Sequence, residues 1–457
     1  MQLLYNSVYF RQCPTIRYVF QINIPFPFSI FWCKLYTMLE KSETLFLPDQ
    51  FLTNEERAVH VYTQTDKPTM PSEVMPDTPL SELNLNWRER DLPEKERTKH
   101  VHRLHPYLGK FIPQLAEVFI RKYFHPGQTI LDPFCGSGTT LVQANELGIN
   151  SIGYDISAFN VLLSRAKVRR YNVERARREV LDALDKLKAI TQNNTQLQLW
   201  NSTISENRVP DINSDYLHSW FAPRALSELL AYRYLIYNRD YLYQDLLKII
   251  LSRSARSARL TTHFDLDIPK QPQTEPYWCY KHGRTCSPTT EAFKFIYRYS
   301  LDTLHRISEF SAIRTNSRVQ VRHTDSRRAT FPPIHGVLTS PPYVGLIDYH
   351  DQHAYAYHLL GLKDRRTQEI GPAVKGSSQS AKASYQYDIA KVFLNAVKSM
   401  VDGGLLILVV HDSSNLYPKI AELCGVEQIA TLHRHVNRRT GRRSNAFYES
   451  IFIWRKV

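Results

Sequence analysis

This sequence predicts an α/β fold, a doubly wound sheet with a mostly helical insertion, and three observations carry the prediction. A short apolar strand over residues 128–132 runs through a glycine turn into a helix, the building unit of such sheets. Apolar runs of strand length recur at 149–155, 319–323, 334–339, 404–410 and 450–454, several of them separated by helical periodicity, as in the amphipathic helix expected from about Tyr387 to Met400. Well over a hundred residues between Ile190 and Val319 exceed what the sheet requires, and their apolar residues fall mainly at helical spacing.

Composition sets the outer limits. The 457 residues include 58 Lys and Arg against 44 Asp and Glu, a formal charge of +14 that favours polyanionic partners. With 43% hydrophobic residues the chain can build a real core, so a wholly disordered protein is excluded. Cys13, Cys33, Cys135, Cys279, Cys286 and Cys424 are too few and too scattered for a disulfide scaffold, which points to a reducing, cytoplasmic setting. No run of 18 or more apolar residues occurs, so no membrane partner is expected.

The elements follow in order. The first forty residues are rich in aromatics, are interrupted by Pro25 and Pro27, and lack a clean secretion signal. They read as a loosely packed extension, with Met38 or Met70 as alternative starts. Residues 51–95, polar, with Pro68, Pro71, Pro76 and Pro79 and a charged stretch from Trp87 to Lys95, read as an irregular lead-in, and residues 1–84 are taken together as an N-terminal extension. Residues 105–113 read as a loop entering a helix, with Pro113 tolerated in its first turn and Ile112, Leu115, Val118 and Phe119 on one face. After the strand at 128–132, Gly136 and Gly138 permit positive φ and close approach of a ligand, while the following helix offers free N–H groups to a carboxylate. A second strand ends at Asp155, close to the ~20 residues after the glycine turn at which an acid binds the ribose hydroxyls of a nucleoside cofactor. An ordinary tight turn and a helix-capping Asp are the bland alternatives.

The run Asp132-Pro-Phe-Cys-Gly-Ser-Gly-Thr-Thr140 closely resembles motif I of the S-adenosylmethionine-dependent amino-methyltransferases that act on DNA. That resemblance implies a class I, Rossmann-like methyltransferase fold, S-adenosyl-L-methionine as cofactor, and Asp132, Pro133, Gly136, Gly138, Thr139 and Asp155 around it. In that family the segment before motif I also touches the cofactor, which adds Lys110 and Phe111; ordinary packing at a helix start is their alternative.

The strand at 334–339 ends in Ser340-Pro341-Pro342-Tyr343. Consecutive prolines fix φ and remove two N–H donors, which leaves the local carbonyls available as acceptors beside an amine. The run resembles motif IV of the same family, and the form Thr-Ser-Pro-Pro-Tyr is similar to enzymes that modify the N4 of cytosine, whereas N6-adenine enzymes more often carry Asp at the Ser position. By this resemblance Ser340, Pro341, Pro342 and Tyr343 are the catalytic set. Ser340 and the Pro341 carbonyl would accept the amine protons, and Tyr343 would stack on a base that has left the duplex. The same analogy puts Asp325, which follows the strand at 319–323, near the cofactor adenine, with a solvated loop acid as the alternative.

Within the insertion, residues 226–255 and 290–310 read as helices, and the insertion's place resembles the target-recognition region of the same family. Arg253, Arg256 and Arg259 are spaced by three and would line phosphates from one side of a helix. Arg438, Arg439, Arg442 and Arg443 crowd around a glycine and form a second candidate DNA contact, whose affinity would fall with salt. Solvated charge is the alternative for both groups. Cys279, His282 and Cys286 are zinc-type donors, yet the spacing departs from a common finger and no fourth ligand is apparent, so a packed loop without metal is expected. His350 and His353 read either as DNA contacts or as satisfied structural histidines.

These readings divide the chain into the extension, a cofactor-binding part at 85–190, the helical insertion at 191–314 and a substrate-binding part at 315–457. The expected activity is site-specific methyl transfer to the N4 of cytosine in double-stranded DNA, with base flipping and direct in-line transfer. Such enzymes serve restriction-modification, where a cognate restriction endonuclease is the partner, or act alone. N6-adenine methylation, RNA methylation and a catalytically inactive DNA-binding relic stay open.

Overall fold

The computed structural model describes residues 60–61, 63, 65–191, 215–267, 269–345, 348–436 and 447–457. Its strands are β1 (His60–Val61), β2 (Thr129–Asp132), β3 (Asn150–Asp155), β4 (Tyr277–Cys279), β5 (Arg284–Cys286), β6 (Val319–His323), β7 (Ile334–Thr339), β8 (Met400–Val410), β9 (Val426–Val436) and β10 (Phe447–Lys456). Eight of these form one sheet in the order β1-β9-β10-β8-β7-β2-β3-β6, and β4 and β5 make a separate hairpin. All neighbours in the large sheet pair in parallel except β10, which runs antiparallel to both β8 and β9. This is the doubly wound α/β sheet that the sequence predicts. From β2 the chain steps outward to β3 and β6 and then returns to β7 on the other side, so the winding direction reverses between β2 and β7. Ligand sites in such sheets lie at that reversal, beyond the carboxyl ends of the strands.

The helices are α1 (Glu94–Arg97), α2 (Pro113–Tyr123), α3 (Thr139–Glu146), α4 (Ala158–Val168), α5 (Val173–Thr191), α6 (Asp215–Trp220), α7 (Pro223–Asn238), α8 (Gln244–Ala258), α9 (Phe293–Ile313), α10 (Tyr349–Gln352), α11 (Ala354–Leu360), α12 (Gln379–Lys398) and α13 (Tyr417–Cys424). Because successive side chains of a strand point to opposite faces, each apolar run feeds two cores. Leu131, Val337, Leu406 and Leu408 pack with Ile389 and Phe393 of α12 and Ile420 of α13. Their neighbours Ile130, Leu338, Ile407 and Val409 pack on the other face with Leu115 and Phe119 of α2.

The first forty residues, read as loosely packed, lie outside the described residues. The irregular lead-in that follows is anchored, since Val74, Leu83, Leu85 and Trp87 belong to the second of these cores. Arg434 of β9 clamps that segment, donating to the Leu85 carbonyl at 3.0 Å, pairing with Glu449 at 2.9 Å and lying over the Trp87 ring. Two expectations are corrected here. The helical run expected over 226–255 is two helices, broken after Asn238 where the backbone N–H groups of Leu242 and Tyr243 donate to Glu179 of α5. The helix expected from Tyr387 starts at Gln379, because Ser378 caps it by accepting from the Ala381 N–H. The insertion shares its core with the cofactor half: Leu229, Leu247, Ile250 and Ile307 cluster with Leu141, Phe159 and Leu163.

Candidate active site

Strands β2 and β7 are hydrogen-bonded neighbours in register Ile130↔Gly336 and Leu131↔Val337, so the loops leaving their carboxyl ends rise side by side. Two side-chain bonds lock the pair: Thr339 Oγ1 donates to Asp132 Oδ1 at 2.6 Å, and Thr140 Oγ1 donates to the Leu338 carbonyl at 3.2 Å. Both loops open on a single cleft of about 820 Å³. Asp132, Pro133, Gly136 and Thr139 come to its wall from the first loop, Ser340 and Pro342 from the second, and Lys110, Phe111, Asp155 and Asp325 from elsewhere. Gly138, Pro341 and Tyr343 are not on the wall.

The glycine turn is built by conformations that other residues resist. Gly136 has φ +47° and Gly138, which precedes the first turn of α3, has φ +78°. A Cβ on Gly138 would also approach Ser164 Oγ to 3.0 Å. The turn is tied from behind by Ser164 Oγ, which donates to the Gly136 carbonyl at 2.7 Å, and by Lys167 Nζ, which donates to the Ser137 carbonyl at 2.7 Å. Lys167 is fully buried, and desolvation pushes its pKa well down. On the cleft side, Ser137 Oγ and Thr139 Oγ1 are buried without a hydrogen-bond partner in the protein. Buried hydroxyls rarely stay unpaired, so this wall suits a polar ligand.

Asp155 closes the turn. Its Oδ2 accepts the Gly136 N–H at 2.9 Å, its Oδ1 accepts the Ser157 N–H at 2.8 Å, and Asn160 Nδ2 donates to both oxygens. Burial outweighs these bonds and raises its pKa to about 6. Asp132 is also raised to about 6, again chiefly by desolvation, against the bond from Thr339. Asp325 behaves oppositely. Burial alone would raise it, but the hydrogen bonds and charge of Arg327 hold its carboxyl below the usual range.

On the second loop, Ser340 Oγ is buried, has no hydrogen-bond partner in the protein and lies on the cleft wall. The Pro342 carbonyl accepts from Tyr385 Oη of α12 at 2.9 Å, and Tyr385 in turn shares a bond with Tyr417 Oη at 2.8 Å. Tyr343 is packed inward, 8% exposed, with its ring edge-on to His411, and so does not present the open stacking face expected of it. Tyr349 and Phe134 supply aromatic wall instead. Glu369 also lines the cleft, with Oε1 bonded to His350 and Oε2 buried without a partner. Neither Tyr349 nor Glu369 sits in a recognisable motif. The proximity of Tyr349 to the substrate motif was the one available signal.

Other expectations resolve differently. His350 and His353 are buried and satisfied inside the protein, the latter stacked on Phe159 and bonded to the Tyr349 carbonyl at 3.0 Å. The arginine stripe on α8 is not a solvent-facing phosphate track. Arg253 pairs with Asp302 at 2.6 Å and covers the Tyr299 ring, Arg256 pairs with Asp267, and Arg259 is 2% exposed against Tyr355. Helical spacing put the three on one side, but that side is occupied by protein. Arg438, Arg439, Arg442 and Arg443 lie outside the described residues.

Comparison with known proteins gives an independent reading. A family model described as DNA methylase matches residues 30–165. The chain is 37% identical over 430 residues to the Type II methyltransferase M.MjaII of Methanocaldococcus jannaschii, covering 79% of this chain and 81% of that protein. It is 26% identical to the Type II methyltransferase M.BsoBI of Geobacillus stearothermophilus, over 61% of this chain and 56% of that one. Among solved structures, TrmN from Thermus thermophilus matches 76% of this chain and 50% of its own length, with 12% identity and a TM-score of 0.29.

Proposed function

The chain belongs to the N6/N4 DNA methylase family, a DNA methyltransferase with S-adenosylmethionine as cofactor, and from that premise we propose that it methylates the N4 amine of cytosine in double-stranded DNA. The carrying observation is Ser340: its hydroxyl is buried, unpartnered and on the wall of the cleft that also holds the glycine turn. A Ser-Pro-Pro-Tyr loop in this position favours cytosine over adenine by its resemblance to motif IV of the cytosine-N4 enzymes.

The residues fit the cofactor. Gly136 and the free hydroxyls of Ser137 and Thr139 would hold its amino-acid end, the Asp155 carboxylate its ribose, and Lys110, Phe111 and Asp325 its flanks. When bound, S-adenosylmethionine supplies an electrophilic methyl group. The protein's own work is positioning. Ser340 Oγ, on the cleft wall, accepts a hydrogen bond from the exocyclic amine, which draws its lone pair out of conjugation with the ring and toward the methyl, while Pro341, off the wall, stiffens the loop. Tyr349 and Phe134 offer flat apolar surface to a base swung out of the helix. Holding two reactants at near-attack distance can remove roughly 7–11 kcal/mol of a barrier. The bonds between β2 and β7 and the Tyr385 clamp on Pro342 keep the two loops rigid enough to do so.

Incubation of the protein with labelled S-adenosylmethionine and duplex DNA, followed by digestion to nucleosides and chromatography, tests the reading. Label is expected in N4-methylcytosine. Label confined to N6-methyladenine overturns the base assignment and leaves the family intact. A cognate endonuclease that cuts the same unmethylated sequence would place the enzyme in restriction-modification.

A further inference from the structure

The hairpin β4–β5 poses a problem of cohesion. Among the described residues from Thr261 to Glu291, Cys279 is the one hydrophobic side chain that is buried, while Phe264, Trp278 and Tyr280 are more than half exposed. A segment with so little apolar core needs another device to hold one shape, and small units of that kind commonly use disulfides or metals. Four donor side chains meet where the core is missing. Cys279 and Cys286 come from the two strands, His282 from the turn between them, and His263 from the stretch after α8. Their ligand atoms all lie within 4.8 Å of one another.

The spacing is that of a coordination shell. Cys279 Sγ lies 3.4 Å from His263 Nδ1 and 3.6 Å from His282 Nδ1, and Cys286 Sγ lies 3.3 Å from His282 Nδ1. A tetrahedral zinc ion with ~2.3 Å bonds to sulfur and ~2.0–2.1 Å bonds to nitrogen places adjacent N and S ligands about 3.5 Å apart. We infer that His263, Cys279, His282 and Cys286 form a structural zinc site that staples the hairpin to the end of α8. The four protein ligands close the tetrahedron and leave no open position, which separates this site from the methyl-transfer cleft in role as well as composition. The fourth ligand escapes sequence inspection because His263 precedes Cys279 by a long irregular stretch and matches no finger spacing. Tyr277 Oη also reaches His263 Nδ1 at 2.8 Å, so metal capture exchanges that hydrogen bond for coordination.

The test uses the full chain, purified under reducing conditions and dialysed against a weak chelator. One zinc per chain is expected by elemental analysis, with a melting temperature that falls when the metal is stripped and recovers when zinc is returned. Cobalt substitution should give the intense visible bands of a tetrahedral site together with thiolate charge transfer. His263→Ala and Cys286→Ser should each weaken zinc retention in chelator competition by about tenfold or more, since even outer-shell partners of a metal site cost that much. The cobalt spectrum of the wild type keeps the question open to decision where a variant fails to fold. Protein that neither carries nor takes up zinc, a Cys279–Cys286 disulfide in its place, metal held without thiolate charge transfer, or metal fully retained by the His263→Ala variant would each overturn the assignment.

Discussion

Protonation decides what Asp155 can accept. Its pKa is raised to about 6, so the carboxylate is charged at neutral pH and gains a proton just below it. Cofactor affinity should therefore fall as pH drops through about 6, and calorimetry a pH unit either side of that value should show the loss in the wild type but a flatter response in Asp155→Asn. The stability linkage has the opposite sign. A carboxyl whose folded pKa is raised favours the folded state at low pH, an advantage lost as pH rises through about 6, so acid unfolding driven by this group does not mimic the effect. Asp132, raised to a similar value, adds to the wild-type slope, which is why the Asn variant is the needed control. Gly138→Val should abolish cofactor binding, because a β-branched residue resists φ +78° and its Cβ meets Ser164. Ser340→Ala should lower kcat at least about tenfold, roughly 1.4 kcal/mol in the barrier, with cofactor affinity little changed. Equal loss of binding and turnover in both variants would undercut the division of labour between the two loops.

At the level of elements, α12 is more than a cover for the sheet. Through Tyr385 it holds the Pro342 carbonyl, and through Tyr417 it is tied to α13. Tyr385→Phe removes both bonds and should cost about 1–3 kcal/mol in stability, at about 0.5–1.5 kcal/mol for each, and should reduce turnover more than cofactor affinity. Thermal melts and single-turnover assays separate the two effects. Six strands, β2, β3, β6, β7, β8 and β10, and both motif loops were legible in the sequence because apolar runs and glycine or proline chemistry are local properties, whereas β9 was given no bounds. What was hidden depended on partners far along the chain. The start of α12 was concealed by polar first turns whose only signal is the Ser378 cap. Trp87 and Leu85 looked like linker because Arg434, which clamps them, lies more than three hundred residues away. The inward packing of Tyr343 likewise comes from His411, at the end of a different strand.

For the whole molecule, the +14 charge predicts that DNA affinity falls steeply as salt rises. Replacing Arg438, Arg439, Arg442 and Arg443 by Gln should flatten the logarithmic salt slope by about 1 for each phosphate that is no longer neutralised, measured by fluorescence anisotropy. Arg253→Ala should leave that slope alone and instead destabilise the fold by about 1–3 kcal/mol, because Asp302 loses its shorter ion pair and keeps only Arg306, and the Tyr299 ring is uncovered. The charges that bind and the charges that build are thus separable by experiment. The lateral bonding of β2 to β7 carries one more implication. The two loops that must cooperate are held side by side by a fixed sheet spacing, and the residues that tie the first of them, Asp155, Ser164 and Lys167, come before the helical insertion begins. The exposed surface of that insertion makes none of these bonds, so it can change over evolutionary time without shifting one loop against the other.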